Sequence, residues 1–289
     1  MSDTAPAARG LSVTEPLRQV FDETLGRASV DARLKGRTIL VVGAGQRPSP
    51  DHPPPLGNGR AIALLCAKAG AEVACADRDR LALDETLARI DESGGRARGY
   101  VVDVSEPEAI EPVVHACVAE MGQIDGMVLN VGIGGPLGLA NQSAEEWDAV
   151  LAVNLRSPML FCKAALPRMA PGGAIVFVSS TASIRPGTRN PSYDASKAAL
   201  AALCRHVALE GEPLGIRANV IAPGPIDTPL GREASRNRPA RATQRLAFGR
   251  EGTAWEVAYV TLFLLSRESS LINAQVIVAD GGMTGMQLR

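Results

Sequence analysis

Tyr193 and Lys197 lie four residues apart in the segment Asn190-Pro191-Ser192-Tyr193-Asp194-Ala195-Ser196-Lys197, and on a helix the side chains at i and i+4 are neighbours. A phenol titrates at about 10, so at neutral pH it is a poor base. A cation held beside it favours the phenolate and moves it toward useful acid–base strength. An ordinary amphipathic helix can carry the same pair, so the spacing takes its weight from its surroundings. The chain has only three Tyr and four Lys, and Ser180 lies thirteen residues before the tyrosine, just after the apolar run Ala174-Ile175-Val176-Phe177-Val178.

A strand-end Ser, a helical Tyr and its Lys in this arrangement resemble the catalytic core of the short-chain dehydrogenase/reductase family. The resemblance implies that Tyr193 exchanges a proton with an alcohol or carbonyl oxygen and that Ser180 hydrogen-bonds that oxygen. Lys197 would depress the Tyr193 pKa and hold the nicotinamide ribose, while hydride moves between cofactor and substrate carbon. It also implies that Asn154 holds a water relaying protons to the lysine. Asn154 falls inside a helix expected from the caps Ser143 and Glu146 and the apolar Trp147, Val150 and Leu151. Asn is mildly unfavourable in a helix interior, which favours a buried polar role over a surface one.

These residues need elements that bring them to one place. Arg37 to Val42 reads as a buried strand running into Gly43-Ala44-Gly45, where glycines let the backbone approach a pyrophosphate favoured by the following helix N-terminus. The family pattern TGxxxGxG is interrupted here. Removing residues 47–56 restores GAGQGNGRA, with Gly43, Gly45, Gly57, Asn58 and Gly59 as the cradle. The ten inserted residues, with five prolines (Pro48, Pro50, Pro53, Pro54, Pro55), are expected to arch away from the cradle as a passive excursion or to act as a flap over the cofactor. A second strand ends at Asp77, at the spacing where a carboxylate receives the adenosine ribose hydroxyls and repels a 2'-phosphate. That favours NAD, while Arg78 keeps NADP open.

Further along, the resemblance places Asp103 and Val104 by the adenine, Asn130 and Gly132 in a segment like the family's NNAG, and Pro223, Gly224, Ile226 and Thr228 against the nicotinamide. Leu129 replaces the first Asn of that segment, and Val42 replaces the Thr of the glycine loop. Losing both polar partners together leaves neither unsatisfied. Ser105 and Glu108, and Thr253 and Glu256, read as capping boxes of two further helices. The resemblance runs from about residue 34 to the C-terminus.

Strands alternating with helices predict one α/β domain over 34–289: a doubly wound parallel sheet, seven-stranded in the family, with helices on both faces. Residues 1–33 form an extension, with a helix expected from Thr14 through Leu17, Val20, Phe21 and Leu25. Residues of about 229–250, hydrophilic and broken by Gly231 and Pro239, read as a substrate lid. In that stretch Arg232, Arg236, Arg238, Arg241, Arg245 and Arg250 face one acid, Glu233, and Arg185 and Arg189 precede Tyr193. Such a rim suits an anionic small-molecule substrate, unless the arginines are solvated or paired.

With a net charge of −1 there is no electrostatic case for nucleic acid or an anionic membrane surface. The sequence shows no apolar run of about 18 residues and no signal-peptide core, so a cytoplasmic location is expected. Five Cys lack metal-ligand spacing and read as reduced core residues, and three scattered His argue against a metal. The family implies a homotetramer or homodimer. Beside an NAD(P)-dependent oxidoreductase stands a second expectation, a catalytically silent nucleotide-sensing protein on the same fold. Such a protein has no need of Asn154, Ser180, Tyr193 and Lys197 together.

Overall fold

The computed structural model describes residues 21–30, 32–185, 187–238, 241 and 246–286. Seven parallel strands make one sheet: β1 (Thr38–Val42), β2 (Glu72–Asp77), β3 (Arg96–Val101), β4 (Ile124–Leu129), β5 (Met169–Val178), β6 (Arg217–Pro223) and β9 (Val276–Ala279). Their order is 3-2-1-4-5-6-9, and a small separate pair joins β7 (Ile226–Asp227) to β8 (Gly252–Thr253). This is the doubly wound sheet expected from the sequence. All five residues of β1 are buried, as befits a parallel strand covered on both faces.

Alternation along the strands feeds two cores. Ile39 and Val41 of β1, with Ala174, Val176 and Val178 of β5, pack toward α1 (Asn58–Lys68) and the late helix α8 (Ala254–Leu265). Leu40 and Val42, with Ile175 and Phe177, pack toward α3 (Pro107–Met121), α5 (Ser157–Ala165) and α6 (Pro191–Gly211). Helix α2 (Arg80–Glu92) lies beside α1, and α4 (Ala144–Leu151) leads toward α5. All five cysteines are buried and unpaired. Chain order reverses between β2 and β4 on either side of β1, and the cleft outside the carboxyl ends there is where such sheets bind ligands.

Between α4 and α5 the helix widens into one π turn, Ala152–Arg156, that contains Asn154. Wide turns of this kind recur at functional sites. The continuous stretch Ala144–Arg168 is long and apolar enough by composition to cross a membrane, but half of its most apolar window is buried inside the fold. Val150, Val153, Phe161 and Ala165 give that apolarity to the core.

The expected N-terminal helix lies mostly outside the described residues. Residues 21–30 run as turns against the domain: the Thr253 hydroxyl donates to the Thr24 carbonyl at 2.7 Å, and Lys68 Nζ to the Ala28 carbonyl at 2.8 Å. The lid stretch opens with a helix, α7 (Pro229–Asn237); Pro239 and Arg245 lie outside the described residues.

Candidate active site

Asn190 starts α6, accepting the Tyr193 N–H on its side-chain oxygen at 3.2 Å and donating from Nδ2 to the Gly135 carbonyl at 2.9 Å. Pro191 follows where a missing N–H costs nothing. The first turn of α6 thereby sets Tyr193 against the loop after β4, and the next turn carries Lys197. That lysine is 3% exposed. Its Nζ donates to the Val178 carbonyl at 2.9 Å and stands 5.8 Å from the centre of the Tyr193 ring. The two serines after β5 divide their work. The Ser179 hydroxyl is spent on the Lys197 carbonyl at 2.8 Å, while the Ser180 hydroxyl caps a short turn through the Ala182 N–H and lies near enough to Tyr193 to favour its phenolate.

Charge in the site runs differently from the expectation that Lys197 depresses the tyrosine. Burial raises the Tyr193 pKa above its usual value, and the Ser180 hydrogen bond and the positive charges of Arg238 and Arg241 offset this in part. Burial also lowers Lys197, to about 8. Enclosure disfavours both the phenolate and the ammonium.

Asn154 is 0% exposed. Its carbonyl accepts the Ile133 N–H at 2.9 Å, and its two amide hydrogens go to the Ile133 carbonyl at 2.9 Å and the Ser196 hydroxyl at 3.0 Å. The side chain ties the loop after β4 to α6. A Cβ placed on Gly132 would fall 3.1 Å from Lys197 Nζ and 3.7 Å from Asn154 Oδ1, so those two groups flank the same point.

The glycine turn after β1 meets the start of α1 across residues 47–56. Gln46 accepts the Gly57 N–H at 3.0 Å across the neck of residues 47–56. Gly43 has φ of +84°, and a Cβ on Gly59 would lie 1.7 Å from the Gly43 carbonyl. No side chain caps the start of α1, leaving its first amides for an anion. Asn58 Oδ1 is buried there without a partner. Asn130 supplies what Val42 and Leu129 lack: its side chain donates to the Gly43 carbonyl at 3.1 Å and its N–H to the Val42 carbonyl at 3.1 Å. A second brace, unforeseen from sequence, is Arg60, buried in α1, which donates to the Thr86 hydroxyl, itself bonded to the Ala44 carbonyl, each at 2.9 Å. An Arg in the first turn of a mostly apolar helix is the one signal of it in the sequence.

A cavity of about 280 Å³ joins these parts. Its wall includes Gly43, Gly45, Gly57, Asn58, Gly59, Asp77, Arg78, Asp103, Val104, Asn130, Gly132, Tyr193, Lys197 and Thr228. Asp77 is set by the Gly45 N–H at 2.8 Å and the Asp79 N–H at 3.1 Å. Asp103 turns the chain by accepting from Ser105. Pro223, Gly224 and Ile226 are not on that wall; they form the turn that carries Thr228, Pro229 and Leu230 into it. Thr228 caps α7 by accepting the Gly231 N–H at 3.0 Å. An acid at one end, uncapped amides in the middle and a phenol–ammonium pair at the other fit a dinucleotide.

The arginine rim is mostly paired. Arg232 holds Asp227 at 2.6 and 2.9 Å, Arg236 reaches Asp51 at 3.3 Å, Arg241 reaches Glu251 at 2.9 Å and Arg250 reaches Glu256 at 2.8 Å. Arg185 and Arg189 are exposed. Arg238 differs in donating to carbonyls, Thr188 at 2.5 Å and Ala234 at 3.3 Å, with no carboxylate at ion-pair distance among the described residues.

A family model described as enoyl-(acyl carrier protein) reductase matches residues 56–284. The 3-oxoacyl-(acyl-carrier-protein) reductase FabG of Thermotoga maritima is 35% identical over 253 residues, covering 87% of this chain and 99% of its own. D-threitol dehydrogenase of Mycolicibacterium smegmatis is 32% identical, covering 88% and 95%. A solved short-chain type dehydrogenase/reductase from Mycobacterium marinum superposes with a TM-score of 0.79 at 30% identity, covering 88% and 97%. A chain from Agrobacterium tumefaciens solved with bound NADP gives a TM-score of 0.75 at 32% identity, covering 88% and 98%. The chain belongs to the short-chain dehydrogenase/reductase family, NAD(P)-dependent oxidoreductases of CH–OH and C=O groups.

Proposed function

We propose that the protein interconverts a secondary alcohol and its ketone with NAD, Tyr193 serving as acid and base. The observation that carries this is a buried ammonium, 5.8 Å from the centre of a phenol ring, at a cavity that also holds the phosphate-loop glycines. When bound, the nicotinamide accepts or supplies the hydride. Ser180 orients the substrate oxygen and Tyr193 donates its proton to that oxygen in reduction. In alcohol oxidation the same phenol must first lose its proton, so that direction speeds up as pH rises. Lys197 and Asn154 flank the path by which the phenol exchanges its proton with solvent, Asn154 by fixing the Ile133 loop and Ser196.

Asp77, anchored by two backbone amides at the cavity wall, supports NAD over NADP, since a fixed carboxylate repels a 2'-phosphate. The substrate carries an anionic group directed at Arg238, whose charge acts on Tyr193 and which has no carboxylate at ion-pair distance among the described residues, Asp194 acting on it from further off. The chain works in the cytoplasm as a homodimer or homotetramer; the exposed apolar Leu209 of α6, Met159 of α5 and Val278 of the edge strand β9 suit subunit contacts. Tyr193→Phe tests the mechanism: turnover should fall by about 1,000-fold while NADH affinity stays within severalfold. A variant keeping most of its kcat would sink the acid–base role.

A further inference from the structure

The ten residues between Gln46 and Gly57 are anchored at both ends. Gln46 closes the neck, Pro55 is buried and Leu56 packs against the core beneath α1. The rest does not arch away from the site. Arg47 and Pro48 line the cavity on one side, and Thr228, Pro229 and Leu230 line it on the other. Between the two sides runs a set of ion pairs to one turn of α7. Arg47 Nη1 meets Glu233 Oε2 at 2.5 Å, and the Asp51 carboxylate meets Arg236 at 3.3 Å and Arg232 at 3.7 Å. Ser49 donates to Asp51 Oδ2 at 2.7 Å, aiming the carboxylate, and Asp227 holds Arg232 from beneath. Arg232 and Arg236 are four apart and present together on one helix face.

We propose that Arg47 and Asp51 are positioning residues that dock α7 onto the phosphate loop, closing the cavity over a bound dinucleotide and slowing its release. Each pair taken singly is a partly exposed contact of small effect. Three pairs on one helical turn act together, because α7 opens as a unit and must break all of them. The same helix carries Thr228, Pro229 and Leu230, so undocking it removes one wall of the cavity. Docking by exposed charges also makes retention sensitive to salt. The proposal rests on the dinucleotide reading of the cavity, and on nothing about the substrate.

The test is stopped-flow release of NADH from the full chain, chased with excess NAD and followed by NADH fluorescence, for wild type, Asp51→Asn and Asp51→Glu. Asp51→Asn should release NADH about 10-fold faster at low salt, and Asp51→Glu, which keeps the charge, should return to within about twofold of wild type. Raising salt from about 0.05 to about 0.5 M should accelerate wild-type release more than that of Asp51→Asn, which keeps only the Arg47–Glu233 pair. Equal release rates in wild type and Asp51→Asn, or equal salt responses, would overturn the docking role while leaving the dinucleotide site standing. A wild type that binds neither NADH nor NADPH would overturn the dinucleotide reading itself, and the docking role with it.

Discussion

The floor and the roof of the cavity are built by different physics. The floor is the carboxyl edge of β1, β4 and β5 with the π turn and the start of α6, where Gly43, Asn130, Asn154 and Lys197 are joined by buried or half-buried hydrogen bonds to backbone groups and rest on two apolar cores. The roof is the insert and α7, joined by partly exposed charges. Buried hydrogen bonds are costly to break, because each leaves an unsatisfied group. Exposed ion pairs are cheap to break and respond to salt. A rigid floor preserves the reaction geometry, and a roof made of charge can open for exchange.

The comparison breaks first at the floor. Lys197→Met should lower kcat/KM by about 1,000-fold, yet the variant should be the more stable protein below pH 8. In the folded state burial holds Lys197 near 8, against an ordinary value of 10.5. A depressed amine disfavours folding while the unfolded chain still holds the proton, so the penalty is present below about 8 and fades as pH rises toward 10.5. Its ceiling is of order 3 kcal/mol. Thermal unfolding at pH 7 and pH 10 checks this: wild type should gain on the variant with rising pH, and a gap independent of pH would contradict a buried ammonium.

Next in size is Gly59→Ala. The added carbon would fall on the Gly43 carbonyl, so the loop must shift; stability should drop by about 1–3 kcal/mol, and calorimetry should find dinucleotide affinity weakened by at least about 10-fold. Asp77→Ala should move the ratio of kcat/KM for NADP over NAD upward by about 10-fold, the worth of roughly 1.4 kcal/mol of repulsion removed. A parent enzyme already preferring NADP would refute the role given to that carboxylate. The last effect belongs at the roof's inner edge. Arg238→Gln should raise KM for a hydroxy acid by about 10-fold relative to its neutral amide, and equal losses for both would leave Arg238 a packing residue.

What could be read from sequence was whatever short-range chemistry imposes. The apolar runs of β1 and β5, the capping boxes at Ser143 and Thr253, and the i, i+4 pair on α6 are local, and all appear as expected. Ser105 does not cap α3, which starts at Pro107, because Asp103 takes the Ser105 hydroxyl. The replacement of the missing Thr by Asn130 needed the register of β1 beside β4. The arginines of the lid stretch looked unpaired because their acids, Asp51, Asp227, Glu251 and Glu256, are brought to them by the fold. The tyrosine's charge state was also out of reach, since desolvation depends on how tightly the finished pocket closes.

The most direct measurement is absorbance of the reduced nicotinamide across a panel of secondary alcohols and ketones, charged and neutral, with NAD(H) and NADP(H), run in parallel on wild type and Tyr193→Phe while NADH binding is titrated on both. Turnover should appear in wild type, with NAD(H) preferred, and vanish in the variant as its binding persists. A wild type that binds NADH tightly and turns over no member of the panel, at any pH from about 6 to about 10, would contradict the catalytic role of Tyr193 and leave a nucleotide sensor on the same fold.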